Sequence, residues 1–276
     1  MRLISLVKPL LVSALLLSGA AYASPDAREV LAASPIDDIV GQYPEMMSQG
    51  IRDGLKQSGQ VPPMVADTIG YVVSSSYRAD DIERKIVSSL EASMTSQQLE
   101  AVNDWYQTPV AKKIAQAEIA ASAPAAWSEM RSRAAALNAA NKGTAREALF
   151  DRFDRASRAT ASAVDTTIAV QLGLATAMAA LSNNSVHYAQ IQKRLENQRP
   201  MLQGMVGQQV YDSYLFTYQD ISLQEMNLYL DFLESDAGGN FTRVVTDSIQ
   251  ESITAPIENI GTQLTRFMSF GAGESR

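Results

Sequence analysis

The sequence predicts an all-α protein built from two pseudo-repeated helical modules packed as a bundle. Glycine and proline are sparse, at 15 and 10 of 276 residues, and no stretch alternates apolar and polar residues over several positions. Residues with high helix propensity fill the intervals between these helix breakers. The segments 94–115 and 221–242 also correspond without a gap. This correspondence indicates an internal duplication, and two copies favour a packed pair over a solenoid.

Residues 1–23 have the features of a cleavable export signal. Positive charges at Arg2 and Lys8 precede an apolar run over 10–17, and small residues follow up to Ala23. The apolar run is much shorter than the roughly 20 residues that a membrane span needs. We therefore expect cleavage after Ala23, a periplasmic protein, and no transmembrane segment in the mature chain.

The predicted organisation after the leader has five parts. A short extension over 24–35 precedes the first helical module, at 36–140. A charged linker helix at 141–159 connects it to the second module, at 160–268. The tail over 269–276 is expected to be disordered.

The balance of charged and chemically reactive residues excludes several classes of function. The net charge is −7, or −9 once the two bases of the leader are removed, and an acidic chain is a poor general binder of nucleic acid. Cysteine is absent, which excludes disulfides, thiol catalysis and cysteine-ligated zinc. The single histidine, His187, is expected to be an ordinary, partly exposed side chain between two helices. We expect no cofactor and no metal.

Acidic pairs mark two expected helix starts. Asp37 and Asp38 form one pair, and Asp80 and Asp81 form the other. Neighbouring residues point to different faces of a helix, which argues against paired acid–base catalysis. We expect these carboxylates to stabilise the positive end of the helix dipole.

Each copied segment begins with the same helix start. Thr95 is followed three residues later by Gln98, and Ser222 is followed three residues later by Glu225. Both pairs are typical of a capping box, in which a hydroxyl and a longer side chain satisfy the first free amides of a helix. We predict helices that begin at these positions.

A bend follows each of these helices. Thr108 precedes Pro109, and Ser235 precedes Asp236; in both cases a capping hydroxyl stands before a residue suited to the first turn. We predict two helices that meet at a fixed elbow in each copy, with the aromatic residues of the elbow buried. The elbow residues are Trp105, Tyr106, Thr108 and Pro109 in the first copy, and Phe232, Leu233 and Ser235 in the second.

The first elbow resembles the exported bacterial proteins of the domain-of-unknown-function 2059 family. The resemblance rests on an aromatic residue and Tyr106 ahead of Thr108-Pro109, followed by Lys112. The first copy has Ala111 where that family usually has glycine, and the second copy lacks the proline, tyrosine and lysine. The resemblance implies a small all-α exported domain, here in two divergent copies, without an established activity.

A local excess of bases lies between residues 131 and 158. Arg152, Arg155 and Arg158 fall on one helical stripe, which makes them a candidate contact for an anionic partner such as lipid head groups. The alternative is a solvated linker helix in which acids four residues upstream pair with Arg155 and Arg158. We expect this alternative, with further neutralisation by acids of the packed modules.

The aromatic residues present a second choice, between core and ligand pocket. At helical spacing such side chains are more often core, and we expect that here. The residues are Trp105, Tyr106, Trp127, Tyr211, Tyr214, Tyr218, Tyr229 and Phe232.

These observations favour a soluble periplasmic protein that acts by non-catalytic binding of another cell-envelope protein. The alternative is a carrier of a small apolar or lipid-like ligand between the helical layers. A carboxylate-dependent enzyme is the second alternative, disfavoured because the usual catalytic residue types are scarce. A flat apolar patch would favour the protein partner, and an enclosed cavity would favour the ligand.

Overall fold

The computed structural model describes residues 24–59, 62–181 and 188–253. The leader, His187 and the predicted tail lie outside these residues, so the predictions made for them stay predictions. In the described part of the chain, no helix combines the length and the apolar character that crossing a membrane requires.

The regular secondary structure of the described residues is helical, which confirms the predicted all-α class. The helices of the first half are α1 (Ala27–Ala33), α2 (Pro35–Ser58), α3 (Pro63–Ser76), α4 (Ala79–Ser93), α5 (Ser96–Gln107), α6 (Pro109–Ser122) and α7 (Pro124–Asn141). Those that follow are α8 (Ala145–Ser157), α9 (Ala159–Leu181), α10 (Tyr188–Asn197), α11 (Arg199–Thr217), α12 (Leu223–Glu234) and α13 (236–253).

Both predicted capping boxes are present. The Thr95 hydroxyl accepts a hydrogen bond from the Gln98 amide at 3.2 Å, and the Gln98 side chain accepts one from the Thr95 amide at 3.0 Å. Ser222 and Glu225 make the same reciprocal pair at 3.2 and 2.7 Å. The starts of α5 and α12 are therefore fixed by local sequence, as expected.

Both predicted elbows are present as well. Thr108 ends α5 and caps α6, with its hydroxyl accepting from the Ala111 amide at 3.1 Å. Ser235 ends α12 and accepts from the Gly238 amide, also at 3.1 Å. Each hydroxyl also donates to the carbonyl three residues earlier, at 2.7 and 2.6 Å. The same three hydrogen-bonding groups thus set both bends.

The elbows pack directly against each other. The rings of Trp105 and Phe232 stack with centroids 4.8 Å apart and planes 10° from parallel. Phe232 is buried, which confirms the expectation for that residue. Trp105 is half-buried, so the same expectation holds there in part; its indole also lies parallel to the Tyr229 ring, with centroids 6.2 Å apart.

One apolar core draws on both halves of the chain. It includes Val30 of α1 and Leu90 of α4 together with Met226 and Leu230 of α12, all fully buried. The charged linker helix α8 contributes Phe153 to the same core. The residues expected to form an extension and a linker are therefore packed into the bundle through their apolar faces.

The acidic pairs lie where the sequence predicts them. Asp37 and Asp38 occupy the first turn of α2, and Asp80 and Asp81 occupy the first turn of α4. Carboxylates there interact favourably with the unpaired amides of the helix start.

Glycine is required at one point of the second elbow. A Cβ at Gly238 would overlap the Phe232 carbonyl oxygen, whereas one at Gly204 in α11 would meet no atom within 4 Å. We expect Gly238→Ala to destabilise the fold by about 1–3 kcal/mol through overpacking. Gly204→Ala, the matched control, should stabilise it by about 0.5–1 kcal/mol through helix propensity.

Chemical denaturation of both variants checks this expectation. The first elbow accommodates Ala111 at the corresponding place, buried to 1% exposure. A Gly238→Ala protein as stable as Gly204→Ala would therefore show that the second elbow can adopt the geometry of the first.

Candidate functional site

A cavity of about 400 Å³ lies among helices from both halves of the chain. Its walls come from the start of α2, the end of α6, the junction of α8 and α9, and from α11, α12 and α13. Ligand pockets in proteins commonly have volumes of about 300–1,000 Å³. The cavity is thus large enough for a small organic molecule.

Glu118 is the one charged side chain among the described residues that line this cavity. It lies on the face of α6 that also carries the buried residues Ala111, Ile114 and Ala121, because spacings of three and four bring residues to one side of a helix. Glu118 itself is half-buried. Its remaining accessible surface is consistent with a side chain that faces the cavity.

Two tyrosines from the second half hold one oxygen of this carboxyl group. The Tyr218 hydroxyl donates to Glu118 Oε1 at 2.6 Å, and the Tyr229 hydroxyl donates to the same atom at 2.7 Å. Tyr218 immediately follows α11 and Tyr229 lies in α12. Within the described residues, Oε2 has no hydrogen-bond partner. One oxygen is fixed, and the other is free to meet a ligand.

The surroundings of Glu118 disfavour its negative charge. Burial raises the pKa of this carboxyl group, and the hydrogen bonds from Tyr218 and Tyr229 oppose that rise only in part. The pKa values of both tyrosines are raised well above their usual range by burial and by the charge of Glu118. The tyrosines therefore remain neutral donors at physiological pH.

Aromatic side chains form much of the cavity wall. Tyr106, Tyr214, Tyr218 and Tyr229 line it, and each is at most 8% exposed. The sequence predicts that these residues belong to the core and not to a pocket. In the structure they are buried in the core and also line the cavity. A buried aromatic cluster encloses the cavity on its inner side, so the two alternatives were not exclusive.

Sequence reasoning did not select Glu118. A usable pattern was nevertheless present, since Glu118 is four residues after Ile114 and three before Ala121, on a stripe that is otherwise apolar. An acid on the apolar face of a helix is unusual unless it is paired or functional. No group of three or more side chains suited to a metal ion occurs within the described residues.

The structure places the predicted basic stripe against acids of the second half. Arg152 donates to both carboxylate oxygens of Glu234, at 2.7 and 2.6 Å, and to Asp231 at 2.7 Å. Arg158 pairs with Asp247 at 2.9 Å, while Arg155 is exposed. The stripe is thus largely neutralised by α12 and α13, not by the acids of its own helix.

Binding of an anionic partner by this stripe stays a prediction with an expected negative outcome. Wild-type protein should not sediment with anionic vesicles at physiological salt, because two of the three guanidinium groups are already paired. Salt-sensitive sedimentation that is lost on reversing Arg152, Arg155 and Arg158 to glutamate would overturn this expectation.

The raised pKa of Glu118 gives a stability prediction with a definite sign. An unfolded glutamate ionises near pH 4.3, at roughly its reference value, whereas the folded protein resists ionisation at Glu118. Stability should therefore fall as the pH rises through and above the unfolded pKa. Glu118→Gln keeps an acceptor for both tyrosines and removes the charge, so it should be more stable than wild type at pH 7.

Chemical denaturation at pH 7 and near pH 4 measures this difference. The advantage of Glu118→Gln should shrink at the lower pH, where the wild-type carboxyl is protonated. Glu100→Gln, on the exposed face of α5, is the control and should change little. A Glu118→Gln protein less stable than wild type at pH 7 would mean that the carboxylate supports the fold.

Comparison with known proteins gives one family match. The model of a family described as "Uncharacterized protein conserved in bacteria (DUF2059)" matches residues 80–140. Comparisons with curated proteins and with solved structures give no match. The matched segment contains the first elbow and Glu118, while the tyrosines that bind Glu118 lie beyond it. Residues 80–140 thus support the resemblance to this bacterial family that the first elbow indicates.

Proposed function

We propose that this protein binds a small amphipathic molecule in the cavity and does not transform it. The observation that carries the proposal is a cavity of about 400 Å³, lined by aromatic, aliphatic and hydroxyl side chains, with one carboxyl group whose Oε2 has no partner among the described residues. Binding pockets characteristically combine apolar walls with a few polar groups that fix orientation. This favours the small-ligand alternative from the sequence over a protein partner.

The chemistry of the lining supports binding without catalysis. Glu118 has no second carboxylate beside it among the described lining residues, whereas carboxylate-based hydrolysis usually works with two such groups. Tyr218 and Tyr229 have raised pKa values, which makes them poor general bases at neutral pH. What remains is a hydrogen-bonding and charged anchor for a ligand.

The proposal includes an internal duplication. Gln98 and Asn240 are hydrogen-bonded at 3.3 Å, and Glu225 and Lys113 are bonded at 2.9 Å. At the offset of 127 positions, Gln98 corresponds to Glu225 and Lys113 to Asn240, so one contact occurs twice across the stacked elbows. This reciprocity is expected of two copies related by an approximate two-fold axis.

The duplication supports a functional role for Glu118. Continued three residues beyond the matched segments along α6 and α13, the offset of 127 positions relates Glu118 to Val245, which lines the same cavity and is buried. An apolar residue thus satisfies the helix packing at this position. The carboxyl group of Glu118 is therefore better explained by ligand binding than by the requirements of the fold.

We propose the periplasm as the place of action. The charged, apolar and small residues of 1–23 support an export signal, as the sequence predicts. A carrier with a cavity of this kind would there shield the apolar part of an amphipathic molecule from water.

A protein partner in the cell envelope is the second candidate function. Met64 and Tyr71 on α3 are 77% and 67% exposed, and their spacing of seven places them on one helix face. Met201 and Met205 on α11 are 58% and 59% exposed at a spacing of four. Exposed apolar side chains of this kind support a protein contact, which would leave the cavity available for its ligand.

Filling the cavity tests the proposal. Ser213 on α11 lines the cavity, and Gln209 lies one turn earlier on the exposed surface of the same helix. Wild-type protein should bind the neutral apolar dye N-phenyl-1-naphthylamine saturably, with enhanced fluorescence. Ser213→Phe should weaken binding by about tenfold or more, equivalent to about 1.4 kcal/mol, because the ring occupies the ligand volume.

Gln209→Phe is the matched control, since it adds the same side chain outside the cavity. Circular dichroism and thermal unfolding establish that both variants fold. Equal dye binding by wild type and both variants would place the dye elsewhere and refute the cavity as the binding site.

A further inference from the structure

We propose that the ligand carries an organic cation, a primary amine or quaternary ammonium group, seated against Glu118 Oε2 beside the tyrosines. This inference rests on the proposed function and specifies the chemical class of its ligand.

Glu118 is the source of charge in the described lining of the cavity. A carboxyl group removed from water is either protonated or paired with a cation, because an isolated buried charge is costly. Glu118 has two neutral hydroxyl donors and no cation among the described lining residues. A cationic ligand would supply the countercharge that stabilises ionised Glu118.

Three bases of α6 and α8 are engaged with other groups. Lys112 and Lys113 of α6 bind Gln107 and Glu225 at the protein surface. Arg146 of α8 donates to the backbone carbonyls of Tyr218 and Ile221. Arg146 thus holds the segment that presents Tyr218, while its own charge is directed at backbone oxygens.

The tyrosine rings around Glu118 are inclined to one another. The rings of Tyr218 and Tyr229 have centroids 6.1 Å apart and planes inclined by 54°, and Tyr214 meets Tyr218 at 5.5 Å and 58°. Inclined aromatic walls beside a carboxylate are the features that recognise alkylammonium groups, since ring faces attract cations. The same walls accept the apolar part of an amphipathic molecule.

Ligands with other head groups fit this chemistry less well. An anionic head group, such as a carboxylate or a phosphate, would be repelled by ionised Glu118. It could bind there only if Glu118 were protonated. An alcohol could share a hydrogen bond with Oε2 but would leave the carboxylate charge unbalanced. The cavity should therefore rank cationic above neutral and neutral above anionic head groups.

The affinity for a cationic ligand should depend on pH, because Glu118 can change its charge. The titratable groups facing it are Tyr106 of α5, Tyr218 after α11 and Tyr229 of α12. All three have raised pKa values and stay neutral below pH 9. Glu118 is then the group that changes charge, and affinity for a cation should rise with pH as Glu118 ionises.

Isothermal titration calorimetry with three ligands of equal chain length tests the inference. Octylammonium, octanol and octanoate differ in head-group charge and share one apolar tail. We expect wild-type protein to bind octylammonium at least about tenfold more tightly than octanol, which corresponds to about 1.4 kcal/mol, and octanoate most weakly.

Two variants assign the preference to Glu118. Glu118→Gln should lose the preference for octylammonium while retaining octanol binding, because the cavity and the tyrosine contacts persist. Glu100→Gln removes one exposed acid and should keep the preference. Octylammonium affinity should rise with pH in wild type, in the direction of Glu118 ionisation, and remain constant in Glu118→Gln.

The outcomes separate this inference from the proposed function. If the neutral dye and octanol bind but octylammonium binds no more tightly, the cationic ligand is refuted and the binding cavity stands. An octylammonium preference that survives Glu118→Gln also refutes the inference. If neither the dye nor any of the three ligands binds, both the cavity function and the inference fail.

Discussion

The hydrogen bonds from Tyr218 and Tyr229 to Glu118 join the two halves of the chain across the cavity. They connect α6 in the first half to the end of α11 and to α12 in the second half. Because both hydroxyls bind the same carboxylate oxygen, they fix its orientation and leave Oε2 without a protein partner in the described chain. The position of the cavity and the polarity of its wall both depend on this arrangement.

The elbows make that arrangement possible. Thr108 and Ser235 each end one helix and cap the next through the same three hydrogen-bonding groups. Stacking of Trp105 on Phe232 then sets the two bends against each other. This local geometry positions α6 and α12. It places the Glu118 carboxyl group beside the hydroxyls of Tyr218 and Tyr229, whose hydrogen bonds compensate only part of its desolvation. The raised pKa of Glu118 implies that its ionisation lowers stability, a cost that the proposed ligand site would explain.

The sequence predicts what depends on short-range interactions. The capping boxes at Thr95 and Ser222 and both elbows follow from residues within four positions of each other, so local sequence is sufficient to locate them. Glu118 differs, because its partners lie 100 and 111 residues away and the sequence alone cannot pair them. The half-buried state of Trp105 likewise depends on how the second elbow covers it. The sequence predicts that acids of the packed modules neutralise Arg152 and Arg158. It does not identify Asp231, Glu234 and Asp247, because these pairs depend on the packing of α8 against α12 and α13.

Native mass spectrometry of the protein purified from the cells that naturally produce it tests the central claim most directly. The account predicts a retained small molecule with an ionisable nitrogen, bound to wild-type protein at one equivalent and depleted from Glu118→Gln. A bound fatty acid or phosphorylated molecule would contradict the proposed charge of the site. Both wild type and Glu118→Gln could instead retain a second protein and no small molecule. That result would contradict the ligand-binding cavity and favour a protein partner in the cell envelope.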